Sequence, residues 1–314
     1  MKELRIIFMG TPDFAVATLK ALVKEHYNVV AVITAPDKPA GRGRKLNQSA
    51  VKKYAMSNGL EVLQPANLKD PEFLEKLKSY HADIQVVVAF RMLPKLVWDM
   101  PKLGTFNLHA SLLPDYRGAA PINWAIINGE HKTGVTTFFI NEQIDTGAII
   151  KQEVTNIPKD ATAGELHDIL MELGSRTVVE TLQMIEQGKV QPIHQKEGEF
   201  NPAPKLNKEI CRIQWNNPLE KVYNHIRGLS PYPGAWTILD NDGQQTEVKI
   251  YKANMIPEQH QLLPGSVVAA KKNLRVAVAN GFLEITDLKM AGKRRMDAIS
   301  LLNGYVFHRE SKMF

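Results

Sequence analysis

The chain has 314 residues, enough for two domains that each bury a core. Its 44% hydrophobic and 23% charged residues, with 20 Gly and 18 Pro, are ordinary values for a soluble globular protein and exclude collagen-like, low-complexity and wholly disordered chains. No apolar run approaches the roughly 18–20 residues that span a bilayer, the N-terminal apolar stretch is too short for a secretion signal, and the single cysteine, Cys211, leaves no internal disulfide, so a cytoplasmic protein without a membrane partner is expected.

Leu4 to Met9 predicts a strand closed by Gly10, and Thr11-Pro12-Asp13 predicts a helix start, with Thr11 as side-chain cap and Pro12 at the first helical position. A second strand follows at Val29 to Ile33. Residues 37–53 then hold six basic residues against one acid, in a stretch opened by Pro and Gly. Asp70-Pro71-Glu72 opens a helix with Phe73, Leu74 and Leu77 on one face, and Val86 to Ala89 is the next strand. Near-continuous apolar strands alternating with amphipathic helices predict an α/β fold, a Rossmann-like, mostly parallel sheet with helices on both faces. Thr162 to Glu165 forms a capping box for a helix running to about Gln187, with Gly188 as its stop, and the first domain is taken to end at residue 195.

Residues 196–208 read as an extended, basic linker. From 209 to 314 the pattern changes: one helix, Pro218 to Leu229, then short strands at Ala235 to Leu239, Glu247 to Ala253, Ser266 to Ala270, Leu274 to Ala279 and Phe282 to Leu288. Hairpin turns are expected at Asn241-Asp242-Gly243 and at Asn280-Gly281. These elements predict an OB-like β-barrel. Charge follows the same division. Residues 1–200 carry 23 basic and 23 acidic residues, whereas residues 201–314 carry 16 and 10, so the whole net charge of +6 lies in the C-terminal third. Two basic surfaces on one chain suit a long polyanion; on charge alone, simple solubility is the competing reading.

Gly10-Thr11-Pro12 lacks the G-x-G-x-x-G spacing, and Pro12 stands where a second Gly would let backbone approach a pyrophosphate, so dinucleotide binding is not expected. Neither Cys211 nor the nine His show metal-ligand spacing, and no metal is expected. The dense segment is Gly104 to Asn128. Asn107 and His109 alternate with Phe106 and Leu108, so a strand over Thr105 to His109 puts both polar side chains on one face at its C-terminal end, where open α/β sheets bind ligands. Asp145-Thr146-Gly147 puts a carboxylate in a tight loop after the apolar strand Val135 to Phe139; taken alone, that triplet reads as a turn.

Phe106 to Pro114, Tyr116 to Ile122 and Asp145-Thr146-Gly147 together resemble the signature of the enzymes that move a formyl group from 10-formyltetrahydrofolate to an amine. Gly10 to Ala15, the basic loop Lys38 to Lys45, Lys205-Leu206 and Gly228 to Ala235 are similar to the members of that family that act on methionyl-tRNA. The resemblance covers essentially the whole chain. It implies a Rossmann-like domain holding folate and catalyst, and an OB-like barrel that helps to hold tRNA. By resemblance, Asn107 donates an amide N–H to the developing oxyanion and His109 adds positive charge there, while Asp145 orients His109 and accepts the proton of the attacking ammonium. Ser111, Leu112, Leu113 and Pro114, with Phe90, Arg91 and Leu93, are expected to line the tetrahydrofolate site. Arg42, Arg44, Lys45 and Lys205 are expected to contact initiator methionyl-tRNA, the enzyme acting as a monomer. The competing readings are the same chemistry on a small amine such as glycinamide ribonucleotide or an amino sugar nucleotide, hydrolysis of the formyl-folate, and a nucleic-acid-binding protein without catalysis.

Overall fold

The computed structural model describes residues 3–40 and 45–314, so Arg42 and Arg44 lie outside the described residues. In chain order the elements of the N-terminal half are β1 Arg5–Gly10, α1 Asp13–Lys24, β2 Asn28–Ile33, β3 Lys38–Ala40, β4 Lys45–Asn47, α2 Ala50–Ser57, β5 Val62–Leu63, α3 Pro71–Ser79, β6 Ile84–Val88, α4 Lys95–Trp98, β7 Thr105–His109, β8 Arg117–Gly118, α5 Pro121–Ile127, β9 Lys132–Phe139, β10 Ile149–Asn156 and α6 Ala163–Glu186. The remainder are β11 Pro202–Ala203, α7 Leu219–Gly228, β12 Ala235–Asn241, β13 Gln244–Ile256, β14 Val267–Ala269, β15 Leu274–Val278, β16 Gly281–Met290, β17 Met296–Asp297, α8 Ala298–Leu302 and β18 Lys312–Met313.

Seven strands form one sheet in the order β10-β9-β7-β6-β1-β2-β5. The five from β7 to β5 are parallel, and β9 and β10 add an antiparallel edge. Ile6, Ile7, Phe8 and Met9 of β1 are fully buried, as a strand covered on both faces requires. From β1 the chain proceeds outward through β2 to β5, then returns to β6 on the other side of β1, so the strand order reverses between β1 and β6. Crevices outside the carboxyl ends of strands at such a reversal are where open α/β sheets hold ligands.

The capping box forms as expected: the Thr162 N–H donates to Glu165 Oε2 at 2.7 Å and the Glu165 N–H donates back to Thr162 Oγ1 at 3.2 Å. Those contacts hold the Glu165 carboxyl below its usual range, the Thr162 backbone bond foremost. Two local expectations need correcting. Thr11 does not cap α1: Pro12 is the N-cap, extended and without a side-chain bond, which sets Thr11 one residue too far back, and the Thr11 carbonyl instead accepts the Val51 N–H at 3.4 Å. The β15–β16 reversal lies at Ala279-Asn280 rather than Asn280-Gly281, because Val278 already pairs with Gly281; the Asn280 amide oxygen accepts the Leu219 N–H at 2.8 Å and is thereby committed to α7.

By contacts the chain divides into two units, residues 1–118, 132–156 and 167–202 in the first and 119–131, 157–166 and 203–314 in the second. In the second unit the sheet runs β14-β15-β16-β13-β12-β18, and a bridge between Ser266 and Lys312 brings its two ends together as a nearly closed antiparallel barrel. Leu274, Val276, Ile250, Leu283 and Ile285 fill it, with Leu219, Val222 and Ile226 of α7 on the same core. At Asn241-Asp242-Gly243 both central residues have positive φ, +58° and +80°, as the type I′ hairpin expected there needs. No helix among the described residues is long and apolar enough to cross a membrane.

Candidate active site

Strand β7 explains why Asn107 and His109 stand together. Phe106 and Leu108 point to the buried face, where Gly174 of α6 lies so close that a Cβ there would meet Leu108 Cδ2 at 2.7 Å. Asn107 and His109 therefore share the opposite face. The Asn107 side chain has no hydrogen-bond partner among the described residues, so its amide is free to meet a ligand. His109 is 6% exposed, and its Nε2 lies 2.8 Å from the Tyr116 carbonyl oxygen. A carbonyl only accepts, so Nε2 carries the hydrogen and Nδ1 is the ring nitrogen left to face another group.

Nδ1 faces Asp145 at 3.8 Å from Oδ2. That is longer than a hydrogen bond and within ion-pair reach, and catalytic contacts of this kind commonly tighten when substrate enters. Asp145 Oδ2 also accepts the Gly118 N–H at 2.9 Å, while Oδ1 takes no protein hydrogen bond among the described residues. The loop carrying Asp145 is over-determined. Asp145 has φ +54°, and Gly147 approaches the Phe139 carbonyl so closely that a Cβ would lie 1.6 Å from its oxygen. Gln195 Nε2 donates to the carbonyls of both Asp145 and Gly147 at 2.9 Å, and Gln195 Oε1 accepts from Arg117 Nε at 3.1 Å. Asn141 Oδ1 accepts from the Gln143 N–H and from Thr146 Oγ1.

The other expected residues are distributed as follows. Ser111 is fully buried and its hydroxyl donates to the Asp115 carbonyl at 2.7 Å. Leu113 is 3% exposed in a small cluster with Phe138 and Ile149, its N–H donating to Thr136 Oγ1 and its carbonyl accepting from Gln152 Nε2. Leu112 and Pro114 are half-buried. In the segment after β6, Leu93 belongs to the core and Phe90 packs against it, while the exposed Arg91 donates to the carbonyls of Pro65 and Ala66. Lys95 pairs with Glu142 at 3.3 Å and so joins this segment to the Asp145 loop. Lys205 is exposed, and the side chain of Lys45 lies outside what is described. Among the described residues no three His, Cys, Asp or Glu gather as metal ligands.

Sequence reasoning missed Gln195 and the Tyr116 carbonyl. Tyr116 acts through its main chain, which any residue supplies, and Gln195 sits among other polar residues with no periodicity to single it out.

A mostly parallel sheet with Asn, His and Asp converging beyond its parallel strands, followed by a small barrel, defines a class. The formyl transferase family matches residues 4–182, and the formyl transferase C-terminal domain matches residues 205–306; the chain belongs to the formyl transferase family and is a transferase. More particularly, it is 55% identical over 315 residues, covering 100% of both chains, to a methionyl-tRNA formyltransferase of Flavobacterium johnsoniae, and 54% identical to one of Bacteroides fragilis, covering 99% of this chain and 98% of the relative. Among solved structures it shares the fold of an N-formyltransferase from Helicobacter canadensis, determined with folinic acid and dTDP-3-aminofucose (TM-score 0.68, 22% identity, 90% of this chain and 98% of the other).

Proposed function

We propose that this chain transfers the formyl group of 10-formyltetrahydrofolate to the amino group of initiator methionyl-tRNA, giving formylmethionyl-tRNA for translation initiation, and that it does so as a cytoplasmic monomer. The observation that carries this reading is the identity of 54–55% to methionyl-tRNA formyltransferases across both the catalytic sheet and the basic barrel. A small-amine acceptor would leave the excess charge of residues 201–314 without a role.

The chemistry follows from the three side chains. The amine nitrogen attacks the formyl carbon, the carbon–nitrogen bond to folate breaks, the amine gives up one proton and the folate nitrogen gains one. The free amide of Asn107 donates to the oxygen that becomes an oxyanion, and a protonated His109 adds positive charge beside it. Asp145 meets both the imidazole and the incoming ammonium: Oδ2 is held by Gly118 toward His109, and Oδ1 is open to accept the proton that frees the amine lone pair. No step needs a covalent enzyme intermediate. The donor is held by Phe90, Arg91 and Leu93 together with Ser111, Leu112, Leu113 and Pro114; Leu113, packed on Phe138 and Ile149 with its N–H and carbonyl already paired, contributes by fixing the shape of that wall. The tRNA contacts are Arg42, Arg44 and Lys45 in the first basic stretch and Lys205 before the barrel.

The test uses donor labelled in its formyl group. Label in acid-precipitable tRNA, dependent on prior charging with methionine, is the expected outcome; label only in free formate, or only on a small amine, would overturn it.

A further inference from the structure

Outside the Asn107, His109 and Asp145 cluster, the first unit contains a cleft of about 660 Å³, inside the range that holds small ligands. It is lined from one side by Thr11 and Asp13, where β1 passes into α1, and from the other by Asn47, Gln48, Lys53 and Tyr54, where β4 passes into α2. The side chains of these six residues have no hydrogen-bond or ionic partner among the described residues. Two amides, a carboxylate, an ammonium and a phenol ring thus face one space uncommitted. The carboxylate and the ammonium cancel, so the cleft is close to neutral, which disfavours a bare phosphate and suits a base with its ribose.

Register ties this cleft to the catalytic residues. Gly10 pairs with Val88, and Val88 with Leu108, so the end of β1, one residue before Thr11, stands level with the end of β7, one residue before His109, two strands away or about 10 Å. The cleft also borders β1 at the reversal of strand order, and β4, which leads into it, is the second strand of the hairpin in the basic stretch 37–53. A substrate whose reacting amine hangs from the terminal ribose of a polynucleotide brings its unpaired end nucleotides nearest to the reacting atoms, between those atoms and whatever basic surface docks the rest.

Resting on the methionyl-tRNA reading, we propose that this cleft binds an unpaired nucleotide of the acceptor 3′ end, the base stacked on Tyr54 with its edge toward Asn47 and Gln48, and the ribose hydroxyl donating to Asp13. Stacking on an aromatic ring tolerates any base and contributes enough that its loss is felt about tenfold or more in affinity. A ribose 2′-hydroxyl bonded to Asp13 would make the cleft prefer RNA over DNA.

The test is a double-mutant cycle between enzyme and RNA, with the full-length protein. Uncharged initiator tRNA, and the same tRNA trimmed of its unpaired 3′ nucleotides, serve as inhibitors of formyl transfer. Tyr54→Ala should weaken inhibition by intact tRNA about tenfold, while trimming costs the variant far less than it costs the wild type, so that the two losses do not multiply. Tyr54→Phe should retain wild-type binding, and KM for the formyl donor should be unchanged. Gln48→Ala, at a half-buried position just before α2, gives a second variant should Tyr54→Ala fold poorly. Equal weakening of intact and trimmed tRNA, or none with either variant, overturns the proposal. Failure of the parent reading is separately visible: wild-type enzyme would then transfer no formyl to methionyl-tRNA, whatever the cleft variants bind.

Discussion

Among the described residues the Asp145 carboxylate meets its protein neighbours through Oδ2 alone, and in the mechanism proposed above this asymmetry separates its two roles, Oδ2 facing His109 and Oδ1 the incoming amine. Asn107→Ala, His109→Ala and Asp145→Ala should each lower kcat/KM for transfer by roughly two orders of magnitude or more, with circular dichroism unchanged. Asp145→Asn can keep an oxygen for the Gly118 N–H but loses the charge that faces His109 and the amine; its rate should fall about as far as that of the alanine variant, and a near-normal rate would reduce Asp145 to a positioning role. Gly147→Ala tests the loop without touching substrate. Its Cβ would lie 1.6 Å from the Phe139 carbonyl oxygen, so the backbone must shift two residues from Asp145, and transfer should fall more than thermal stability does. At this scale the sequence was legible where side chains alternate: Asn107 and His109 follow from the period of a strand. Asp145 was legible only through its company in a motif, since a carboxylate before Thr-Gly reads equally as a turn. Gln195 was not legible, because its work is to bind carbonyls 48 and 50 residues away.

Among the elements, α7 carries a half-buried titratable group that the chemistry does not use. His225 is held below its ordinary value of 6.5 chiefly by burial, against a smaller opposing contribution from its bond to the Cys211 backbone. An imidazole depressed in the folded state binds its proton more weakly than in the unfolded chain, so below about 6.5 the unfolded chain gains protons first. The stability linked to His225 is therefore complete above that value and is lost as pH falls from it toward the lower folded-state value. Urea unfolding followed from about pH 7.5 to about pH 5 should show a fall in stability for the wild type that His225→Gln reduces; identical profiles would mean that His225 takes up its proton without penalty. Strand and helix identities were largely legible because burial on both faces of the parallel strands leaves continuous apolar runs, and the Thr162–Glu165 box was legible as a cap because both of its hydrogen bonds are local. Helix α1 shows the limit: Thr11 has the chemistry of a cap, but the extended Pro12 takes the position.

Across the whole molecule the order of the chain and the order of contacts differ. A sequence is read in contiguous pieces, whereas the second unit gathers residues 119–131 and 157–166 with the barrel. Asn123 donates to the Gly228 carbonyl, Tyr223 to Asp160 and Arg227 to the Ala161 carbonyl, all long-range bonds that no local pattern announces. Charge is the property of the whole that was legible without any structure, because it needs only counting. The balance is zero over residues 1–200 and +6 beyond them, with a local excess of five between residues 37 and 53. Each phosphate neutralised by Lys or Arg releases counterions, so the logarithm of tRNA affinity should fall linearly and steeply with the logarithm of salt concentration, with a slope that counts the contacts. Arg42→Ala should make that slope shallower by about one and reduce transfer to tRNA, while folate affinity stays unchanged, since phosphate contacts position the acceptor and take no part with the donor. Lys205→Ala should do the same from the other basic region, and if each side chain meets its own phosphate the two effects on affinity should add. Filter binding at four or five salt concentrations measures all of these together. A slope near zero, or an Arg42→Ala enzyme that formylates tRNA at the normal rate, would remove the basic stretch from the tRNA footprint.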